Sequence, residues 1–146
     1  MKEKEILYFE DVSEGMEIPS VKRGPIDRRQ LIDYASASGD YNKIHYDEAF
    51  AKKAGLKGCI AHGMLTMSLV GTFITNWAIG GSLKYFKVKF VGMTNENDII
   101  TVKGSVVNKF KKENENLIEI NVSSETHDGI KTIVGSAIIS LPSKND

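Results

Sequence analysis

Within the stretch SGDYNKIHYDEAF, residues 38–50, an acid, an amide and an imidazole crowd together as Asp40, Asn42 and His45. An imidazole titrates near neutral pH and a neighbouring carboxylate can hold or return a proton, so Asp40 and His45 form a candidate acid/base pair. Asn42 can orient either partner without itself titrating. A second feature, AHGM at 61–64, opens a segment of helical pattern, with only 17 residues lying between His45 and Gly63. The free backbone N–H groups of Gly63 and Met64, at the positive end of a helix, suit an oxygen that gains negative charge. Glycine also lets a ligand approach the backbone closely. Together these parts suit adding water to, or removing it from, a double bond activated by a carbonyl. Protons move at the α and β carbons while the carbonyl oxygen becomes anionic.

Other readings of the same residues fare differently. A calcium loop starting at Asp40 has Asn42 third but Ile44 fifth, His45 where glycine belongs and Ala51 where a bidentate Glu is needed, which excludes it. A zinc site would draw on Cys59, His62 and His45, yet one cysteine and three histidines leave no second ligand pair. Cys59 as a nucleophile has nothing in the sequence that calls for a thiolate, and a small buried cysteine is the common case. A purely structural reading, in which Asp40 and Asn42 shape a turn after Gly39 and His45 bonds local backbone, stays open beside acid/base chemistry. His62, at a helix start, is read as bonding local backbone and left outside the catalytic set. Trp77, the only tryptophan, is read as core or subunit packing.

The elements that must hold these residues are legible from pattern. The first 27 residues read as an extended entry segment with turns at EGM and RGP. Asp27 can cap a helix, with Gln30 three residues on, and Leu31, Ile32, Tyr34 and Ala35 form its apolar stripe up to Gly39. A short helix follows Asp47 and stops at Gly55, and LKGCIAHGM is irregular. The span 63–78 is the long helix, with Met64, Met67, Ser68, Gly71, Ile74 and Ala78 expected on its packing face, and Gly80-Gly81 ending it. Beyond Gly81 the period becomes 2: Phe86, Val88 and Phe90 alternate with lysines, two more strands follow, and Asp128-Gly129 marks a hairpin into the last strand. The fold class is therefore α+β: a curled antiparallel sheet wrapped around one long central helix.

Size and composition bound the partners. At 146 residues, 41% hydrophobic and 26% charged, the sequence predicts a single domain over 1–146 with one core and no repeat or linker. Zero formal net charge argues against nucleic acid and anionic membrane as partners, and KFKK at 109–112 reads as a solvated strand end or turn. The single Cys59 excludes an internal disulfide and suits a reducing, cytoplasmic setting. MKEKEILYFEDV carries no apolar run of signal-peptide type. The apolar stretch near 64–81 is broken by Thr66, Ser68, Thr72, Thr75 and Asn76 and reads as a buried helix rather than a membrane span. The sequon-like NVS at 121–123 falls in a predicted strand and reads as chance.

Residues 34–69 resemble the MaoC-like branch of the hotdog fold, which includes (R)-specific enoyl-CoA hydratases and 3-hydroxyacyl-thioester dehydratases. The resemblance rests on Ser38-Gly39-Asp40, Asn42, Ile44-His45 and Asp47, followed by His62-Gly63-Met64, and continues more loosely through TNWAIGGSLKYFKVKFVG. It implies a reversible hydration of a trans-2-enoyl thioester of CoA or acyl carrier protein to an (R)-3-hydroxyacyl thioester. Asp40 and His45 match the family's catalytic pair, Gly63 the backbone N–H that binds the thioester oxygen, and Asn42 a supporting position. No metal or redox cofactor is implied, and subunits are expected to pair as a homodimer or higher homo-oligomer, with a heterodimer as the alternative. A hotdog thioesterase, or a subunit of a heteromeric dehydratase, are the alternatives. Two positions depart from the family pattern: Lys43 stands where proline is usual, and Gly71 where some hydratases carry a serine.

Overall fold

The computed structural model describes residues 5–145, so the first four residues of the opening segment lie outside the described residues. Five strands form one antiparallel sheet: β1 (Glu17–Arg23), β2 (Ser82–Phe90), β3 (Ile100–Lys112), β4 (Glu115–Thr126) and β5 (Lys131–Ser140), in the order β1-β3-β4-β5-β2. Three helices precede β2: α1 (Arg28–Ser38), α2 (Glu48–Lys53) and α3 (Gly63–Trp77). The long helix packs on the sheet's inner face, as the change of period predicts. The alternation is visible in burial: Ile100, Val102 and Val106 on β3, Ile118, Ile120 and Val122 on β4, and Ile133, Ala137 and Ile139 on β5 all point into the core. No described helix is long and apolar enough to cross a membrane.

The face that α3 buries overlaps the expected one only in part. Leu65, Thr66, Val70, Phe73 and Ile74 face the sheet, whereas Met64 is 56% exposed and Ser68 is exposed. Burying a Leu, Val, Ile or Phe side chain stabilises by about 1.5–3 kcal/mol each, so the branched and aromatic residues outbid the Met/Ser/Gly stripe for the core. Ile74 and Ala78 are common to both faces, Met67 packs against the core, and Gly71 rests on the Phe86 ring, 3.5 Å from where a Cβ would stand. Trp77 is half-buried against the core cluster.

The entry segment does more than was expected of it. It contributes β1, which pairs with β3 across a register shift between Ile18 and Val21, and a 3-10 turn at Phe9–Asp11. Lys109, from the basic run at the exposed end of β3, donates to the Val12 carbonyl at 2.8 Å and lies over the Phe9 ring. The C-terminal segment folds back here: Glu10 accepts from Ser143 Oγ at 2.7 Å and from the Lys144 N–H at 3.0 Å. Those bonds, Ser143 first, hold the Glu10 carboxyl down from an ordinary 4.5 to about 2. A depressed carboxyl stabilises above its unfolded value and loses that contribution as pH falls through the folded one. The C-terminal contact should therefore hold above about pH 4.5 and release toward pH 2. Carboxyl-detected NMR titration checks this, with Ser143→Ala expected to move the Glu10 midpoint upward.

Candidate active site

Local sequence explains how Asp40 and His45 are presented. Asp27 caps α1 by accepting the Gln30 N–H at 2.7 Å, and the helix ends at Gly39, whose left-handed φ of 76° turns the chain away. A relay of side-chain acceptors then shapes the loop. Ser38 Oγ takes the Asp40 N–H, Asp40 Oδ1 takes the Asn42 N–H, and Asn42 Oδ1 takes the Ile44 N–H, each at 3.2 Å. Asn42 thereby caps a 3-10 turn, Lys43–His45, that carries His45 inward. Arg28 braces the turn from outside, bonding the Tyr46 carbonyl at 3.3 Å and Glu96 through two nitrogens at 3.0 and 2.5 Å. The turn-shaping role of Asp40 and Asn42 is thus real, and it occupies only one of the two Asp40 oxygens.

The tautomer of His45 follows from its partner. His45 Nδ1 lies 2.8 Å from the Ile60 carbonyl, which can only accept, so Nδ1 carries a proton and the neutral ring is the tautomer with its lone pair on Nε2. That nitrogen is 3.7 Å from Asp40 Oδ2. This is too long for a direct hydrogen bond, and it is a gap that one water or one substrate proton can bridge. The environments differ sharply: the His45 side chain is 8% exposed and that of Asp40 is 54% exposed. The imidazole is fixed while the carboxylate stands at the mouth. Ile60 is in turn held by its own N–H to the Ile44 carbonyl, 3.2 Å, which ties the acceptor to the turn that bears His45.

His45 and Gly63 line one cavity of about 190 Å³, together with Thr66, Phe90, Thr94 and Thr132. Gly63 begins α3, so its N–H has no carbonyl one turn back to bond. Of the two residues whose N–H groups are expected to serve an oxyanion, Gly63 lines the cavity and Met64 does not. Asn42 and Asp40 lie outside the lining, Asn42 as a cap and Asp40 reaching the pair through its carboxylate. Thr66 donates to Thr94 at 3.2 Å and Thr132 pairs with Ser124 at 2.7 Å, so the cavity's hydroxyls are already engaged. Phe90, Thr94 and Thr132 were not singled out from sequence. They come from three separate places in the second half of the chain and carry no local motif.

His62 was also left out of the set, and the structure gives it unexpected partners. Its ring is 3% exposed, stacks on His45 with centroids 3.7 Å apart and planes 22° from parallel, and packs on Tyr34 at 4.8 Å. Nε2 donates to the Asp40 backbone carbonyl at 3.1 Å, so the bond spans 22 residues rather than the local backbone expected. Among the described residues no protein group lies within hydrogen-bond reach of the buried Nδ1 of His62. His62 occupies the N-cap of α3 without capping it, forgoing about 1 kcal/mol that Ser or Asp would supply.

Asp40, His45 and His62 bring ligand-type atoms within 4.8 Å of one another, but Cys59 is not among them. The stacked rings direct their in-plane lone pairs along two near-parallel planes rather than to one point, so this arrangement does not match the zinc site considered from sequence. Cys59 is 1% exposed, and burial pushes its thiol up, the opposite of what a nucleophile requires.

A curled five-stranded antiparallel sheet around one long helix, with these residues at the helix start, defines a hotdog-fold protein. A solved structure titled R-hydratase PhaJ1, from Pseudomonas aeruginosa, shares that fold with a TM-score of 0.86 at 24% identity, covering 94% of this chain and 86% of that one. The chain belongs to the MaoC-like domain family, whose model matches residues 11–128. The fatty acid synthase β subunit TOXC of Cochliobolus carbonum is 32% identical over 110 residues, 73% of this chain and 5% of that protein. This chain therefore spans one-twentieth of that relative. A 3-hydroxybutyryl-CoA dehydratase of Methylorubrum extorquens is 25% identical along 100% of this chain and 91% of its own.

Proposed function

We propose that this protein is a hydro-lyase that reversibly adds water to a trans-2-enoyl thioester, on CoA or acyl carrier protein, giving the (R)-3-hydroxyacyl thioester. One observation carries the reading: the bare Nε2 of His45 faces Asp40 Oδ2 at 3.7 Å, beside a cavity that also takes in Gly63. Water held between the two side chains loses a proton to His45 as its oxygen bonds the β carbon. The double-bond electrons move onto the thioester oxygen, which the Gly63 N–H stabilises. The proton passes through the Asp40 carboxylate to the α carbon, so one water is added and the pair is restored. Asn42 supports this by fixing the turn between them. Family membership and the full-length likeness to a 3-hydroxybutyryl-CoA dehydratase support the same chemistry.

The working unit is proposed to be a dimer, with a second copy or a different MaoC-like chain, because β2 is an edge strand and exposes Tyr85 and Phe90. A lone buried thiol suits a reducing, cytoplasmic setting.

The deciding assay follows loss of the enoyl-thioester absorbance on crotonyl-CoA, with a thiol reagent in a parallel cuvette. Loss of absorbance without thiol release is the expected result. Thiol release would replace the hydratase reading with a thioesterase. Buried Cys59 should add no background in the folded protein.

A further inference from the structure

We propose that His62 is a positioning residue that locks the Asp40 loop to the first turn of α3, so that the acid/base pair and the oxyanion N–H move as one unit. Three observations converge on it. The Nε2–H of His62 holds the backbone carbonyl of Asp40, the residue whose carboxylate is otherwise the most exposed part of the site. Its ring backs the buried face of His45. The next residue in the chain is Gly63, which borders the cavity. One imidazole therefore touches each of the parts that must keep register, two through its ring and the third through the chain.

The arrangement is not what stability alone selects. A residue at this helix start that served only the fold would cap α3, and His62 does not. The hydrogen bonds of Asp40 itself to Ser38 and Asn42 are local, two residues away in either direction. The bond from His62 ties the Asp40 backbone itself to a distant element, while Ile60 and Arg28 hold the following turn at Ile44, His45 and Tyr46. Without it, only the local Asx relay through Asn42 holds Asp40 Oδ2 toward His45 Nε2.

His62→Phe keeps a stacked ring and removes the donor, while His62→Gln returns an amide N–H near the place of Nε2. In hydrogen exchange, His62→Phe should speed the Asn42 and Ile44 amides about tenfold, the loss of one hydrogen bond, while Ile120 and Ile133 in the core strands keep their protection. His62→Gln should restore most of it. In the kinetic arm, which presupposes the proposed hydration chemistry, His62→Phe should lower kcat about 10- to 100-fold with KM changed less than about threefold. In an Asp40→Asn background the same change should cost less than about twofold, because its effect runs through Asp40. Unchanged exchange at Asn42 and Ile44, equal losses in the two backgrounds, or His62→Gln as damaging as His62→Phe would each overturn the proposal. If the wild-type protein hydrates no enoyl thioester, the function reading fails alone, and the exchange arm still decides the role of His62.

Discussion

Replacing His45 with Asn is expected to lower kcat for enoyl-thioester hydration by about 10²–10⁴-fold, the range a general base contributes. The amide nitrogen of Asn can still donate toward the Ile60 carbonyl, the bond His45 Nδ1 makes at 2.8 Å, so the turn keeps its anchor while the ring base is gone. Asp40→Asn should cost a comparable amount. Its amide oxygen can still accept the Asn42 N–H that Asp40 Oδ1 accepts at 3.2 Å, but a neutral amide cannot carry a proton to the α carbon. If the two side chains act on one water across the 3.7 Å between them, as proposed, the double variant should lose little more than the worse single one. Steady-state kinetics on crotonyl-CoA, with the far-UV spectrum as a check on folding, measures all three. Near wild-type turnover in both single variants would end the assignment of the pair.

The second large effect is expected from Gly63→Pro, at about 10²–10³-fold in kcat, the usual result of losing one oxyanion donor. The substitution is unusually clean for the fold. Gly63 is the first residue of α3, where proline is well tolerated because its missing N–H has no intrahelical partner. His62 before it already sits at φ −58° and ψ 138°, the extended region that a residue preceding proline prefers. Gly63→Ala is the control. It keeps the N–H, and its Cβ meets only the Phe90 ring, 3.2 Å away at Cε1, a side chain that is half exposed and can shift. Alanine should therefore lose less than about tenfold, with proline falling at least tenfold below it if the N–H itself matters. Equal losses for the two variants would assign the effect to crowding at Phe90 and remove Gly63 from the mechanism.

Much of this was written in local sequence because the forces involved are local. The cap at Asp27, the left-handed stop at Gly39 and the Asx relay through Asp40 and Asn42 each act across two to four residues. The change from helical to alternating period at Gly81 marks where one long helix gives way to strands, and that ordering specifies the α+β layout. Asp40, His45 and Gly63 could be picked out because a short turn and a helix start are themselves short-range objects.

What tertiary structure alone decided has a different physical origin. Which face of α3 turns inward depended on competition between Leu65, Val70 and Phe73 and the Met/Ser stripe for the sheet, and no helical period names the winner. Of the cavity's other walls, Phe90 and Thr132 meet His45 only after β2 and β5 pair in register, and Thr94 only when its carbonyl takes the Ala61 N–H. The tautomer of His45 is set by the carbonyl of Ile60, fifteen residues on, and the stacking of His62 on His45 by the docking of α3 beside the Asp40 loop. Residue types and short spacings supplied the chemical groups. Their distances, and the nitrogen left bare to act, came from long-range packing that no local pattern encodes.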